Sequence, residues 1–190
     1  MVRLSSALLA VMLLVLAASG TTLLVPSQYG TIQAGIDAAS NGDTVLVADG
    51  TYTGTGNKDL DFGGRIIVVM SENGPDVCII DCENDGRGFY FHSGETADAV
   101  IYGFMIRYGY ASNGGGINVT DSSPTIDHCI VWDCANGGTA GGGIYLNNGH
   151  SLIVHCTVND NFSGHGGGIY AINSNMTVSS CIISDNYSTG

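Results

Sequence analysis

The sequence has 190 residues, of which 17 are Asp or Glu and 5 are Lys or Arg, so its formal net charge at pH 7 is −12. A chain this acidic lacks the basic surface that neutralises phosphates, which excludes nucleic-acid binding as its main role. Apolar residues make up 44% of the chain, which excludes disorder. An acidic polysaccharide would be repelled unless a cation bridges the two partners.

The N-terminal segment is typical of a secretory signal peptide. Arg3 provides a basic start, an apolar run without charges covers residues 8–18, and the small residues at 17–20 suit a signal peptidase. The run is shorter than the roughly 20 residues that a membrane-spanning helix needs. We therefore predict a signal peptide over residues 1–20 and a secreted or cell-surface domain, without a membrane span, over residues 21–190.

Residues 21–60 are predicted to form an N-terminal cap and the first strands. Ile32, Ile36 and Ala39 share one side of a short helix, and Thr31 is placed to cap its N-terminus. A turn at residues 41–43 leads into a strand over residues 44–48. The helix would cover the first turn of a repeat, whose edge would otherwise expose unpaired backbone groups.

Residues 61–112 are predicted to form irregular turns of the same repeat. Strands are indicated at residues 66–69 and 77–81, and residues 88–91 are a degenerate form of a later motif. Cys78 and Cys82 lie in this segment. Their spacing permits a disulfide, but no feature of the sequence indicates one.

Residues 113–190 contain three copies of one regular pattern. Gly-Gly-Gly-Ile begins at residues 114, 141 and 166, and a second motif, Ile/Val-x-x-Cys, ends at Cys129, Cys156 and Cys181. Both motifs recur after 27 and then 25 residues, and a fixed period of this length indicates a solenoid. Because each repeat holds short runs rich in Ile, Val, Thr and Tyr between turn residues, we predict three short strands per turn of about 25 residues.

Alternation along these strands separates an inner from an outer face. The isoleucines of the Gly-Gly-Gly-Ile motif are predicted to face inward. The three repeated cysteines are predicted to face inward as well, as a stack of buried thiols and not as disulfides. Asn118, Tyr145 and Tyr170 follow those isoleucines and are predicted to face outward on neighbouring strands.

The most regular stretch of the chain has the pattern Ile-x-x-Cys-x-Val-x-Asp-Asn from residue 153 and Gly-Gly-Gly-Ile-Tyr from residue 166. With close copies on either side, this pattern resembles the right-handed parallel β-helix of pectin-lyase-like repeat proteins. The N-terminal segment resembles the cap of pectin methylesterases. The resemblance implies an all-β, right-handed parallel β-helix solenoid with a short N-terminal capping helix.

The first candidate site lies on the Gly-Gly-Gly-Ile strands. The resemblance implies that sugars are bound on this sheet, and amphipathic aromatic rings suit that task. Asn118, Tyr145 and Tyr170 are therefore the predicted substrate-binding residues.

The second candidate site is a stack of acids. Asp133, Asp160 and Asp185 each follow a repeated cysteine by four residues, so neighbouring turns would hold them about 5 Å apart. Carboxylates at that spacing can recruit a cation such as Ca²⁺, which makes these three the predicted metal ligands. The alternative is that they are solvated turn residues.

Catalytic motifs of the related enzymes are incomplete in this sequence. Residues 164–166 match the Gly-His-Gly of polygalacturonases without their paired aspartates, and residues 125–128 match the Ile-Asp-His stretch of pectate lyases without an arginine motif. Residues 50–52 match the cap motif of pectin methylesterases without its Glu. His155 repeats the position of His128, as a repeat unit would. The catalytic residues stay unassigned, and the sequence does not decide whether the protein is an enzyme.

The regular repeats favour an exported binding or structural module that contacts polysaccharide. Enzymes on this fold interrupt the repeat at their site, whereas the insertions here are two residues at most. The alternative is a carbohydrate-active enzyme, a polysaccharide lyase or glycoside hydrolase, acting through paired carboxylates or Ca²⁺. The chain stops nine residues after Cys181, where the next motif is expected, so we predict either further sequence beyond Gly190 or a pairing partner.

Overall fold

The computed structural model describes residues 20–190, so the predicted signal peptide lies outside the described residues apart from Gly20. These residues wind into a parallel β-solenoid whose longest sheet has seven strands, one from each turn. Successive turns contribute strands that pair in parallel throughout the four sheets. No helix within residues 20–190 has the length and apolar character needed to cross a membrane.

The four sheets, named A to D here, have seven, six, five and four strands. The strands of sheet A are Thr22–Val25, Thr44–Val47, Val68–Ser71, Val100–Tyr102, Thr125–Asp127, Leu152–Val154 and Thr177–Ser179. The strands of sheet B are Gly50–Tyr52, Cys78–Asp81, Met105–Arg107, Ile130–Trp132, Thr157–Asn159 and Ile182–Ser184. The strands of sheet C are Leu60–Asp61, Phe89–Phe91, Ile117–Thr120, Ile144–Asn147 and Ile169–Ile172. The strands of sheet D are Tyr110–Asn113, Ala135–Ala140, Phe162–Ser163 and Tyr187–Ser188.

The three strands predicted for each turn correspond to sheets A, B and C. In the last four turns the structure adds a fourth strand, which belongs to sheet D and lies between the strands of sheets B and C. Two of these added strands have only two residues, Phe162–Ser163 and Tyr187–Ser188. Segments this short and close to glycine resemble turns in sequence, which is why the pattern did not predict them.

The register between turns follows the sequence period. Ile117 pairs with Ile144, and Ile126 pairs with Ile153, each 27 residues further along the chain. These four side chains are fully buried in one continuous core. The predicted inner face is therefore confirmed at these positions, where each turn packs between two others. In the last turn, Val178 and Ile183 are 38% and 49% exposed.

The predicted N-terminal helix is present as Ile32–Ala38, the one α-helix of the described residues. The Thr31 hydroxyl oxygen accepts a hydrogen bond from the backbone N–H of Ala34 at 3.2 Å, which is the expected N-cap. Ile32 and Ile36 are fully buried in the core that the first strands of sheet A also form.

The cysteines confirm the predicted stack of thiols. All six are free, and Cys129 and Cys156 are buried in the core. Cys78 precedes Ile79, which pairs with Met105, so Cys78 occupies the same inward position two turns before Cys129. Burial, assisted by the charge of Asp49, raises the pKa of the Cys78 thiol to about 12. These thiols are therefore packing groups.

The Gly-Gly-Gly motif forms the corner between sheets D and C. Gly141 has a left-handed backbone with φ +68°. A Cβ atom on Gly142 would lie within 3 Å of the carbonyl oxygens of Phe162 and Gly167, and one on Gly143 within 3 Å of the carbonyl oxygen of Gly168. The first glycine thus adopts the left-handed conformation without steric cost, and the next two permit the close approach of neighbouring turns.

Candidate functional site

The outer face of sheet C carries one column of side chains, one from each strand. The register places Asp61, Tyr90, Asn118, Tyr145 and Tyr170 at successive positions of this column. The structure therefore brings the three predicted substrate-binding residues together.

Tyr145 and Tyr170 form a stacked pair in this column. Their ring centroids are 5.8 Å apart, and the ring planes differ by 7°. Both side chains are half-buried, so part of each ring is accessible while the sheet supports the rest. Two parallel rings one turn apart present a short aromatic ladder to solvent.

Tyr90 is enclosed by side chains of its own turn. The Arg87 guanidinium carbon lies 4.6 Å from the Tyr90 ring centroid, a cation–π geometry. The His92 ring stacks on Tyr90 with centroids 4.1 Å apart, and His92 Nε2 lies 3.2 Å from Asp61 Oδ2. The N-terminal end of the column is therefore a polar cluster and not an open aromatic surface.

Asn118 is only 6% exposed, and both ends of its amide are used within the chain. Its Nδ2 donates to the backbone oxygen of Asn113 at 3.0 Å, and its Oδ1 accepts from the Thr120 hydroxyl at 2.9 Å. Asn118 thus connects sheet C to the end of a sheet D strand. A direct contact between Asn118 and a ligand has no support in this geometry.

Asp133, Asp160 and Asp185 occupy the corners that follow the strands of sheet B. Each has a left-handed backbone, with φ of +48°, +57° and +55°, and each is exposed. The Asp160 carboxylate accepts hydrogen bonds from Trp132 Nε1 at 3.0 Å and from Asn159 Nδ2 at 2.9 Å. Because turns are about 4.8 Å apart, the first and third acids are about 10 Å apart at the backbone. One ion would contact two neighbours at most, and Ca²⁺ binding by such a pair stays a prediction.

A different group of metal-ligating side chains lies at the corners that follow the strands of sheet A. Asp127 Oδ1 lies 2.6 Å from His128 Nδ1 and 3.0 Å from His155 Nδ1. Within residues 20–190 these are the three His, Cys, Asp or Glu side chains whose ligand atoms all lie within 4.8 Å of one another. The 27-residue spacing of the two histidines is visible in the sequence, where it indicates equivalent repeat positions but not their contact with Asp127.

A family model described as right handed beta helix region matches residues 66–190, about two thirds of the chain. The chain belongs to this family. No curated protein and no solved structure matches it. The predicted right-handed parallel β-helix is therefore confirmed, while the likeness to pectin lyases and to the cap of pectin methylesterases stays a prediction.

A second aromatic pair of this β-helix lies on sheet D and is not among the residues that the sequence predicts for a site. Phe162 and Tyr187 are paired in register, with ring centroids 5.6 Å apart and ring planes that differ by 13°. Phe162 is 43% exposed and Tyr187 is 62% exposed, so these rings are more open than the pair on sheet C. Their separation of 25 residues equals the repeat period, which was the available signal.

A cleft of about 550 Å³ lies beside the N-terminal end of sheet C. Its lining includes three carboxylates and Lys58. Each carboxylate has a basic partner: Asp59 lies 3.5 Å from Arg87 Nε, Asp61 3.2 Å from His92 Nε2, and Asp85 3.2 Å from Lys58 Nζ. Burial alone would lower the pKa of Lys58, but hydrogen bonds to Asp85 and Glu83 outweigh it and raise that pKa. Asp59 and Asp85 are thus paired with the permanent charges of Arg87 and Lys58, and the Asp61 carboxylate is within hydrogen-bond distance of an imidazole nitrogen.

Proposed function

We propose that this β-helix is an exported module that binds a neutral polysaccharide across the outer face of sheet C. The observation that carries the proposal is the parallel stack of Tyr145 and Tyr170, one turn apart and half-buried. A polysaccharide repeats its sugar unit, so identical rings at a regular spacing offer successive units the same contact. The apolar part of each ring packs on a sugar, and the phenol hydroxyl exchanges hydrogen bonds with it.

The setting of the pair supports binding as well. Half-burial restrains the two rings before a ligand arrives, which lowers the conformational entropy lost on binding. Two residues after Tyr145 on the same face of sheet C, Asn147 pairs with Thr120 of the preceding turn. An amide and a hydroxyl therefore lie next to each other beside the rings. A face that combines ring surface with neutral polar groups suits a hydroxyl-rich ligand.

The charge of the chain favours a neutral glycan over an acidic one. The formal net charge is −12, so a polyuronate would approach against a repulsive field. Export is supported by the basic and apolar composition of residues 1–20, which is typical of a signal peptide. Binding is preferred to catalysis because two of the three carboxylates that line the neighbouring cleft are paired with Arg87 and Lys58, and the third contacts His92.

The test is native affinity electrophoresis of the purified protein in gels that contain soluble neutral polysaccharides, with polygalacturonate as the acidic comparison. We expect at least one neutral polysaccharide to retard the protein. Tyr145→Ala with Tyr170→Ala should weaken that binding about tenfold or more, since loss of 1.4 kcal/mol of contact energy changes the affinity tenfold. Tyr145→Phe keeps the ring and separates stacking from hydrogen bonding.

The matched control is the double substitution of Phe162→Ala and Tyr187→Ala, which removes an equally stacked pair from sheet D. Its binding should equal that of the unmodified protein. No retardation by any neutral polysaccharide would contradict the proposed function. Loss of binding in the sheet D variant, with binding retained after removal of the two sheet C tyrosines, would overturn the assignment to sheet C.

A further inference from the structure

We propose that Asp127, His128 and His155 form a binding site for a divalent transition metal, on the corner where sheet A leads into sheet B. The site is separate from the aromatic ladder of sheet C and does not depend on the proposed function. The main observation for this site is that a single carboxylate oxygen, Asp127 Oδ1, lies within 3.0 Å of the Nδ1 atoms of both histidines.

The fold holds both imidazoles in place. His128 and His155 each have a left-handed backbone with φ +52°, and their backbone N–H groups donate to Val154 and Ser179 of the next turns at 3.1 Å. Their rings are in contact, with centroids 4.5 Å apart and planes tilted by 38°. The Tyr102 ring lies on His128, with centroids 4.9 Å apart. The ligand atoms are therefore positioned by two turns of the solenoid and by ring packing.

The ligand set suits a metal of the zinc class. Two imidazole nitrogens and one carboxylate oxygen are ligands that Zn²⁺ accepts, whereas Ca²⁺ prefers six to eight oxygens. Zinc–ligand bonds of about 2.0–2.1 Å in tetrahedral geometry place ligand atoms about 3.3 Å from one another. The separations of 2.6 and 3.0 Å from Asp127 Oδ1 need to widen by only about 0.3–0.7 Å.

The site is also open to solvent. The His128 and His155 side chains are 47% and 51% exposed, which gives an ion a path of entry. With three protein ligands, the fourth position of a tetrahedral ion remains for water. The net charge of −12 adds a long-range attraction for cations.

The group departs from the repeat, which argues against a purely structural ladder. Asp127 pairs with Tyr102 in the preceding turn and with Val154 in the following one. The residue after Tyr102 is Gly103, and the residue after Ser179, in the turn beyond Val154, is Ser180. A ladder that only stabilises the stack would have similar residues in each turn, whereas the carboxylate and the two imidazoles coincide at this one place within residues 20–190.

The test is calorimetric titration of the full, tag-free chain with ZnCl₂, under a non-thiol reductant. We expect one Zn²⁺ per chain and no comparable binding of Ca²⁺. Asp127→Asn and His155→Gln should each weaken Zn²⁺ binding by more than the roughly 10–100-fold that loss of an outer-shell partner costs. His150→Gln, which replaces another exposed histidine, should leave the affinity unchanged.

Two further readouts locate the ion. On Zn²⁺ addition, the imidazole NMR signals of His128 and His155 should shift while those of His92, His150 and His165 do not. Replacement of Zn²⁺ by Co²⁺ should give no thiolate charge-transfer absorption, since the cysteines take no part.

Absence of Zn²⁺ binding would overturn the proposal. So would binding that survives Asp127→Asn and His155→Gln at full affinity, or a cobalt spectrum with thiolate bands. Far-UV circular dichroism of each variant shows whether it is folded, and His128→Gln gives a second test of the ligand set if either of the first two variants fails to fold.

Discussion

The side-chain amide of Asn161 donates from Nδ2 to Oδ1 of Asn186, one turn away, at 2.9 Å. The same Nδ2 donates to the backbone oxygen of Val131 at 3.0 Å, and the Asn161 Oδ1 accepts from the backbone N–H of Cys134 at 2.9 Å. Asn161 is 1% exposed, so water does not replace these bonds. The asparagine ladder therefore satisfies backbone groups at the corner between sheets B and D.

Replacing Asn161 by Ala is expected to destabilise the solenoid strongly. The substitution leaves the Cys134 N–H without its acceptor, and an unsatisfied buried polar group costs about 1–3 kcal/mol. With loss of the bonds to Val131 and Asn186 included, we expect the free energy of unfolding to fall by about 2–4 kcal/mol. Urea unfolding followed by circular dichroism measures the change. Asn175→Ala, at an exposed position, should alter it by less than about 0.5 kcal/mol.

The solenoid could be predicted because the sequence motifs that determine it are short and recur from turn to turn. Each repeat within residues 113–190 carries the same glycine corner, so the 27- and 25-residue steps that separate Ile117, Ile144 and Ile169 in sequence also set their register in space. The equivalence of Cys134 with Asn161 and Asn186 was predictable for the same reason. The bonds between them were not, because they depend on side-chain rotamers.

The candidate sites were harder to predict than the fold. Asn118 belongs to the expected outward column, yet the extra strand of sheet D ends beside it and takes up its amide. The group formed by Asp127, His128 and His155 includes two residues with a left-handed backbone, His128 and His155, and joins side chains from two neighbouring turns. The repeat period shows which residues are equivalent. It does not show which side chains at different positions of two neighbouring turns are in contact.

Replacing Gly142 by Ala tests the tight corner between sheets D and C. A Cβ atom there would meet the carbonyl oxygens of Phe162 and Gly167, which belong to the neighbouring turn and cannot move independently. We expect the free energy of unfolding to fall by about 1–3 kcal/mol, the usual effect of overpacking a close-packed site. Chemical denaturation measures it.

Gly30→Ala is the control for that experiment. A Cβ atom at Gly30 meets nothing within 4 Å. Alanine at such a position leaves stability unchanged or raises it by up to about 1 kcal/mol, since it restricts the unfolded chain. Equal effects of the two substitutions would contradict the packing explanation of the triple-glycine motif.

Glu95 is a buried carboxylate that connects three turns. It is 2% exposed and accepts hydrogen bonds from the backbone N–H of Gly64 at 2.8 Å, the backbone N–H of Ser93 at 2.9 Å and the hydroxyl of Ser122 at 2.8 Å. Burial by itself would raise the pKa of this carboxyl. The three hydrogen bonds outweigh burial and hold the pKa below its ordinary value of 4.5.

The stability that Glu95 contributes is therefore present above pH 4.5, its value in the unfolded chain, and is lost as the pH falls through the lower folded pKa. Glu95→Gln keeps the volume but not the charge. We expect it to lower the free energy of unfolding by about 1.5–3 kcal/mol near pH 7 and by progressively less as the pH falls below 4.5. Urea unfolding at several pH values, with Glu72→Gln as the exposed control, measures the difference. A difference between wild type and Glu95→Gln that stays constant with pH would contradict a stabilising charge at this position.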